Sequence, residues 1–255
     1  MRRILPRAAD LKKQVADYIA DSEKLARGSL TKAASSRAFE EIYEISLATS
    51  TVLAGLVGSR LRPVLGPARS LVLRAPLLVG IGQGAVAEAE LRRFVELILW
   101  TIYFSDHPVE WRLFENATGD GFAQDQRSPI SYAAHRQLRF YLDYVIELMS
   151  SEPSGLATQA GKDLEQALRK LNAAVHAGQL ARGAVKAPPY DDLSETKLRS
   201  FAKLQRSTFA GCVLLLAAYR RDRFDKLNAG ARAYFDWLIG TKLRKEVRGG
   251  PFGLS

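Results

Sequence analysis

Three residues in the stretch DLEQALRKLNAAVHAG, Arg169, Asn172 and His176, have side chains suited to holding and cleaving a phosphodiester. Their spacing of three and then four puts them on one face of a helix. In metal-independent RNA cleavage the ribose 2′-hydroxyl attacks the neighbouring phosphorus. An imidazole that titrates near neutrality can move the proton. A guanidinium can hold the crowded phosphorane through two parallel donors, and an amide can orient the phosphate or the ring. Leu164, Leu168, Leu171 and Val175 form an apolar stripe beside this face. A plainer reading stays open. His176 lies just before Gly178, and an imidazole is favoured at the C-terminal end of a helix with no catalytic role.

A second group is Trp100, Asp106, His107, Glu110 and Trp111. His107 and Glu110 are one helical turn apart and, with Trp100, could line a small-molecule or nucleotide pocket. Glu96 lies on the preceding helix, but no further His or carboxylate stands at matched spacing, so no metal is expected. The competing reading is a helix start. Ser105 or Asp106 would cap it, Pro108 would enter its first turn, and Glu110 would sit where a capping carboxylate belongs. His135, Arg136 and Arg139 form a third group, with the two arginines spaced to hold a phosphate or to face solvent. GIGQG at 80–84 lacks the strand and the Lys-Ser/Thr of a phosphate loop and reads as a turn. No cofactor motif is present, and no cofactor is expected.

The net charge is +10 and the isoelectric point about 9.8. The excess lies in residues 1–80 and 161–255, while 81–160 is net acidic. Arg199, Lys203 and Arg206 repeat at helical spacing, Arg220, Arg221 and Arg223 form a cluster, and Lys170 adjoins Arg169. Such side chains neutralise phosphates and release counterions, so RNA or another polyanion is the expected partner. The single Cys212 sits inside FAGCVLLLAAY and reads as a small core residue. The start, MRRILPRAADLKK, lacks a secretory apolar segment, and no window is long and apolar enough to span a bilayer. A cytoplasmic protein without a membrane partner is expected.

Helical periodicity dominates, which predicts an all-α bundle of about seven or eight helices. A first helix is expected over 8–26, stopped by Gly28, and a second up to Gly58 with Phe39, Ile42, Tyr43, Ser46 and Leu47 on one face. Residues 59–83, with Pro63, Pro67 and Pro76, read as a broken basic connection with room for a short helix. A helix over 84–105 is apolar on more than one face and should lie centrally. Further helices are expected near 129–150, 157–177, 193–219 and 224–240, with Asp192 or Ser194 capping the third of these. The resulting division is a hairpin at 1–58, the connection at 59–83, a bundle at 84–240 and a frayed tail at 241–255, forming one structural unit.

The run R-K-L-N-A-A-V-H, with six residues between Arg169 and His176 at the end of a long helix, resembles the motif of the HEPN (higher eukaryotes and prokaryotes nucleotide-binding) superfamily. The resemblance covers residues 84–240. It implies an all-α bundle, commonly a homodimer in which two motif copies meet. Active members are metal-independent ribonucleases of toxin–antitoxin, phage-defence and CRISPR settings. Arg169 and His176 would be catalytic, with Asn172 as the polar helper. Many active members carry a small polar residue directly after the Arg, and here that position is Lys170. Relatives that only bind nucleic acid or a protein partner define the alternative. In that form the basic faces hold RNA and the 59–83 segment holds a subunit of a defence or regulatory complex.

Overall fold

A computed structural model describes residues 8–56, 62–117, 138–148, 156–180 and 193–249. Among these, side chains are described except at 8–12, 14, 62–64, 113–117, 156–159, 173–180 and 241–249. The protein is all-α. In chain order the helices are α1 (Ala8–Ala34), α2 (Arg37–Leu56), α3 (Arg62–Gly80), α4 (Gly84–Asp106) and α5 (Pro108–Ala117). They are followed by α6 (Leu138–Leu148), α7 (Leu156–Leu180), α8 (Glu195–Tyr219), the single turn α9 (Arg221–Phe224) and α10 (Ala229–Gly249). No strand occurs among the described residues.

Two helices organise the bundle. α4 packs against α3, α5, α6, α7 and α8, and α8 against α2, α4, α7, α9 and α10. Both are apolar on several faces, as the pattern over 84–105 implies. From Thr208 to Ala217 every residue of α8 is buried, Cys212 included. Phe94 of α4 and Phe209 of α8 meet edge to face, 4.8 Å between ring centroids, at the centre of the contact. Gly211 allows α7 to come close, because a Cβ there would meet Leu164 Cδ1 at 3.1 Å. Buried hydroxyls are satisfied locally, as where Thr49 Oγ1 donates to the Ile45 carbonyl. Gln205 Nε2 donates to Ser46 Oγ across 2.7 Å and ties α8 to α2 inside the core.

Several sequence expectations need correction. Residues 62–80 form a helix rather than a broken connection, and Pro67 and Pro76 lie inside it. Leu65, Ala68, Leu71, Val72, Ala75 and Val79 are buried on its inner face. A proline in a helix costs about 3 kcal/mol, and six buried apolar side chains outweigh that. The segment is therefore core, not a free loop for a partner. α1 runs through Gly28 to Ala34, since one interior glycine weakens a helix without stopping it. On α2 the inward stripe is Ala38, Ile42, Ile45, Thr49, Val52 and Leu56, whereas Tyr43 and Leu47 are exposed. The last helix continues to Gly249 across a kink at Gly240, whose φ of +77° favours glycine.

Other expectations hold. Ser194 caps α8, its hydroxyl accepting from the Lys197 amide at 3.3 Å. The glycine-rich 80–84 stretch is the turn from α3 into α4. Gly82, at φ +78°, and Gln83 send their amides back to the Val79 and Leu78 carbonyls, closing the α3 C-terminus. No helix among the described residues is long and apolar enough to cross a membrane.

Candidate functional site

The motif face lies on α7, whose inner side buries Leu164, Leu168 and Leu171 against the core. Arg169 stands on the outer side with its side chain 76 % exposed, and its Nη2 donates to Glu165 Oε1 at 2.7 Å. The same oxygen accepts from Arg139 Nη1 of α6 at 2.6 Å, and Arg139 Nε reaches Asp143 at 2.7 Å. Hydrogen bonds from Arg169 and Arg139 hold the Glu165 carboxyl below its usual range. Asp143 and Glu165 in turn raise the Arg139 guanidinium. One turn after Arg169, Asn172 is half-buried, and its Oδ1 is covered with no hydrogen-bond partner among the described residues. Lys170 is exposed. His176 belongs to the α7 backbone, but its side chain lies outside the described residues, as does that of Val175. His135 and Arg136 lie outside them altogether.

The basic face of α8 is partly spent on the fold. Arg206 Nη2 donates to Glu41 of α2 and its Nη1 to the Trp237 carbonyl of α10, both at 3.2 Å. Its guanidinium also lies 4.1 Å over the Trp237 ring. Arg206 therefore joins three helices. Arg199 donates to Glu195, which also accepts from Ser36 Oγ of the α1–α2 turn. Those two bonds, Ser36 first, hold Glu195 below the usual carboxylate range. Lys203 is exposed. Arg220 and Arg221 lie at the α8–α9 corner, where Arg220 reaches Asp222 at 3.2 Å and Arg221 approaches Asp225 at 3.9 Å. Arg220 thereby holds the Asp222 carboxyl low.

The second group gathers where α4 ends. The His107 ring stacks on Tyr103, with centroids 4.1 Å apart, and His107 Nδ1 lies 2.8 Å from the Tyr103 carbonyl. A carbonyl only accepts, so the proton of that bond is on Nδ1. Glu110, in the first turn of α5, accepts from Tyr103 Oη at 3.0 Å. Trp100 meets Tyr141 edge to face, and Tyr141 meets Tyr103, so Trp100, His107 and Glu110 share one aromatic wall. Glu96, raised mainly by burial, pairs with Arg92. No metal-holding group occurs among the described residues.

Asp106 does not cap α5, because His107 occupies the position before Pro108. Its carboxylate instead accepts from Tyr144 Oη of α6 at 2.9 Å and Tyr219 Oη of α8 at 2.8 Å. Burial and the bond to Asp106 push Tyr219 up to about 12, and the same causes raise Tyr144. This clamp joins three chain segments that sequence distance conceals.

An open groove of about 640 Å³ between α2 and α10 also escaped the sequence reading. Glu44 and Leu47 line one side, Tyr234 and Trp237 the other, with Gly230 and Ala233 along the same α10 face. Its aromatic residues are visible in the sequence, but their outward direction is not.

No protein-family model matches the chain, and no curated protein or solved structure matches it.

Proposed function

We propose that the chain is a HEPN-like RNA-binding protein that holds the RNA backbone along the edge where α8 passes into α9 and α10. The observation that carries this reading is the stretch Arg220–Arg232. Arg220, Arg221, Arg223, Lys226 and Arg232 there stand against only Asp222 and Asp225. The Arg221 and Arg223 side chains keep 40 % and 42 % of their surface exposed. A local cationic excess of this kind attracts phosphates and makes affinity fall steeply with salt. Binding of a labelled single-stranded RNA, followed by anisotropy between about 50 and about 200 mM salt, tests it. Arg221→Ala with Arg223→Ala should weaken binding and lower the salt slope by about 2. Binding that ignores salt, or that the double variant leaves intact, removes this edge from the function.

Asn172 favours a second reading, in which Arg169, Asn172 and His176 cleave the bound RNA in a toxin-type or defence role. A covered amide oxygen without a partner among the described residues, one turn before His176, is the kind of unsatisfied group that folds retain at working sites. Arg169 would hold the phosphorane and His176 would move the proton. A homodimer would bring two such faces together, as the resemblance implies. Incubation of RNA with the protein in chelator should yield 2′,3′-cyclic phosphate ends, and His176→Ala should abolish them. Equal cleavage by His176→Ala removes this site from the chemistry.

A further inference from the structure

Arg139 of α6 and Arg169 of α7 are distant in the chain, yet both donate to one oxygen, Glu165 Oε1, at 2.6 and 2.7 Å. That oxygen holds the two guanidiniums side by side where α6 meets α7. The seam beneath them is firm. Leu142 and Val145 of α6 and Leu164 and Leu168 of α7 are buried there. Gly161 lets the helices close up, because a Cβ at that position would meet Ile146 Cδ1 at 2.6 Å. Asp143 steadies Arg139 from its own helix, accepting from Nε at 2.7 and 2.9 Å. The two cations nevertheless face solvent. Their side chains are 55 and 76 % exposed, against 28 % for Glu165. A guanidinium has five N–H donors. The described bonds use Nε and Nη1 of Arg139 and Nη2 of Arg169, so Arg139 Nη2 and Arg169 Nε and Nη1 keep donors with no described partner. Exposed ion pairs contribute little to folding, so stability does not account for this arrangement.

We propose that Arg139 and Arg169 together bind one phosphate of an RNA backbone, with Glu165 as the residue that positions them. Guanidinium forks hold a phosphate through parallel donors, and a carboxylate that has already oriented two of them removes part of the ordering cost. Phosphate oxygens only accept, so they match the remaining N–H groups and leave the Glu165 bonds in place. Asp143 and Glu165 balance the two positive charges, so the site depends on fork geometry rather than on net charge. The helical register of this α7 face continues from Arg169 through Asn172 to His176. This pair rests on the reading in which that face meets RNA, and it gives Arg169 a partner from α6 at the phosphate.

A short 2′-O-methyl RNA, which cannot form a 2′,3′-cyclic phosphate, tests this when titrated into the isotope-labelled full chain at about 50 mM salt. Amide resonances of α6 and of Glu165 to Asn172 report this site separately from the Arg220–Arg232 edge. Arg139→Gln and Arg169→Gln should each raise the dissociation constant read there about tenfold, the loss of one charge-assisted contact. The double variant should lose much less than about a hundredfold, because a phosphate shared by two forks is already released when either one goes. Arg139→Lys keeps the charge without the fork and should bind like Arg139→Gln. Both side chains are exposed, so the variants should keep the parental circular dichroism. A parent without shifts at these amides overturns the site, and so do losses that multiply or full binding by Arg139→Lys. The probe cannot be cleaved, so the expected pattern upholds the pair even where natural RNA stays whole, and only the cleavage reading then falls. Cleavage that needs His176 but proceeds at the parental rate and affinity in Arg139→Gln overturns the pair and keeps that reading.

Discussion

Helices α1 and α8 are close in length, 27 and 25 residues, and meet opposite fates. α8 is buried without a break from Thr208 to Ala217, while α1 first buries a described side chain at Ala33. Both carry apolar residues at helical spacing, so local pattern makes each of them a helix. The difference lies in partners. α8 has α2, α4 and α7 on different sides, whereas α1 leans on α3 and α2 only near its end. Burial turns apolar pattern into stability, and without a partner the same pattern becomes an adhesive surface.

The largest test of this contrast is Phe209→Ala. It removes a ring at the α4–α8 contact and should cost about 3–5 kcal/mol in urea unfolding. A loss near that of a surface change would mean that α8 is not the core.

A smaller effect is expected at the end of α8, where Tyr219 holds Asp106. The folded hydroxyl keeps its proton up to about 12, whereas the ordinary tyrosine value is 10.0. The stability that this bond contributes is complete below about pH 10 and is lost as pH rises towards 12. Tyr219→Phe should lower stability by about 1 kcal/mol at pH 8 and flatten part of the alkaline decline, leaving the share of Tyr144. Unfolding midpoints measured from pH 8 to 11.5 check this, and an unchanged alkaline slope would exclude the clamp as its source.

The smallest effect belongs to α1. Tyr18→Ser should change the stability of the isolated chain by less than about 0.5 kcal/mol, because that side chain is 68 % exposed. A large loss at high dilution would show that α1 packs on its own bundle and would erase the contrast with α8.

The legible parts of this fold were those written in local pattern. The all-α class, the central place of 84–105, the Ser194 cap and the glycine turn at 80–84 follow from periodicity and from backbone groups that neighbouring residues must satisfy. The helix at residues 62–80 is hidden from local pattern for the same reason. Local rules penalise Pro67 and Pro76, and only the packing of α3 between α2 and α4 outweighs them. At the candidate sites the residue types and their shared faces were readable, but their use was not. Arg169 and Arg206 look alike in sequence, yet Arg169 stands on the surface beside Glu165 while Arg206 joins three helices.

From its amino acids alone, this chain specifies helices, a buried centre and a strong positive charge, because those depend on spacing and composition. Which cations are tied inside the fold, which tyrosines close on Asp106 and which apolar stripes stay bare are decided by the tertiary structure. Each of those outcomes depends on a contact between residues distant in the chain, and hydrogen-bond geometry and burial exist only once the helices have met.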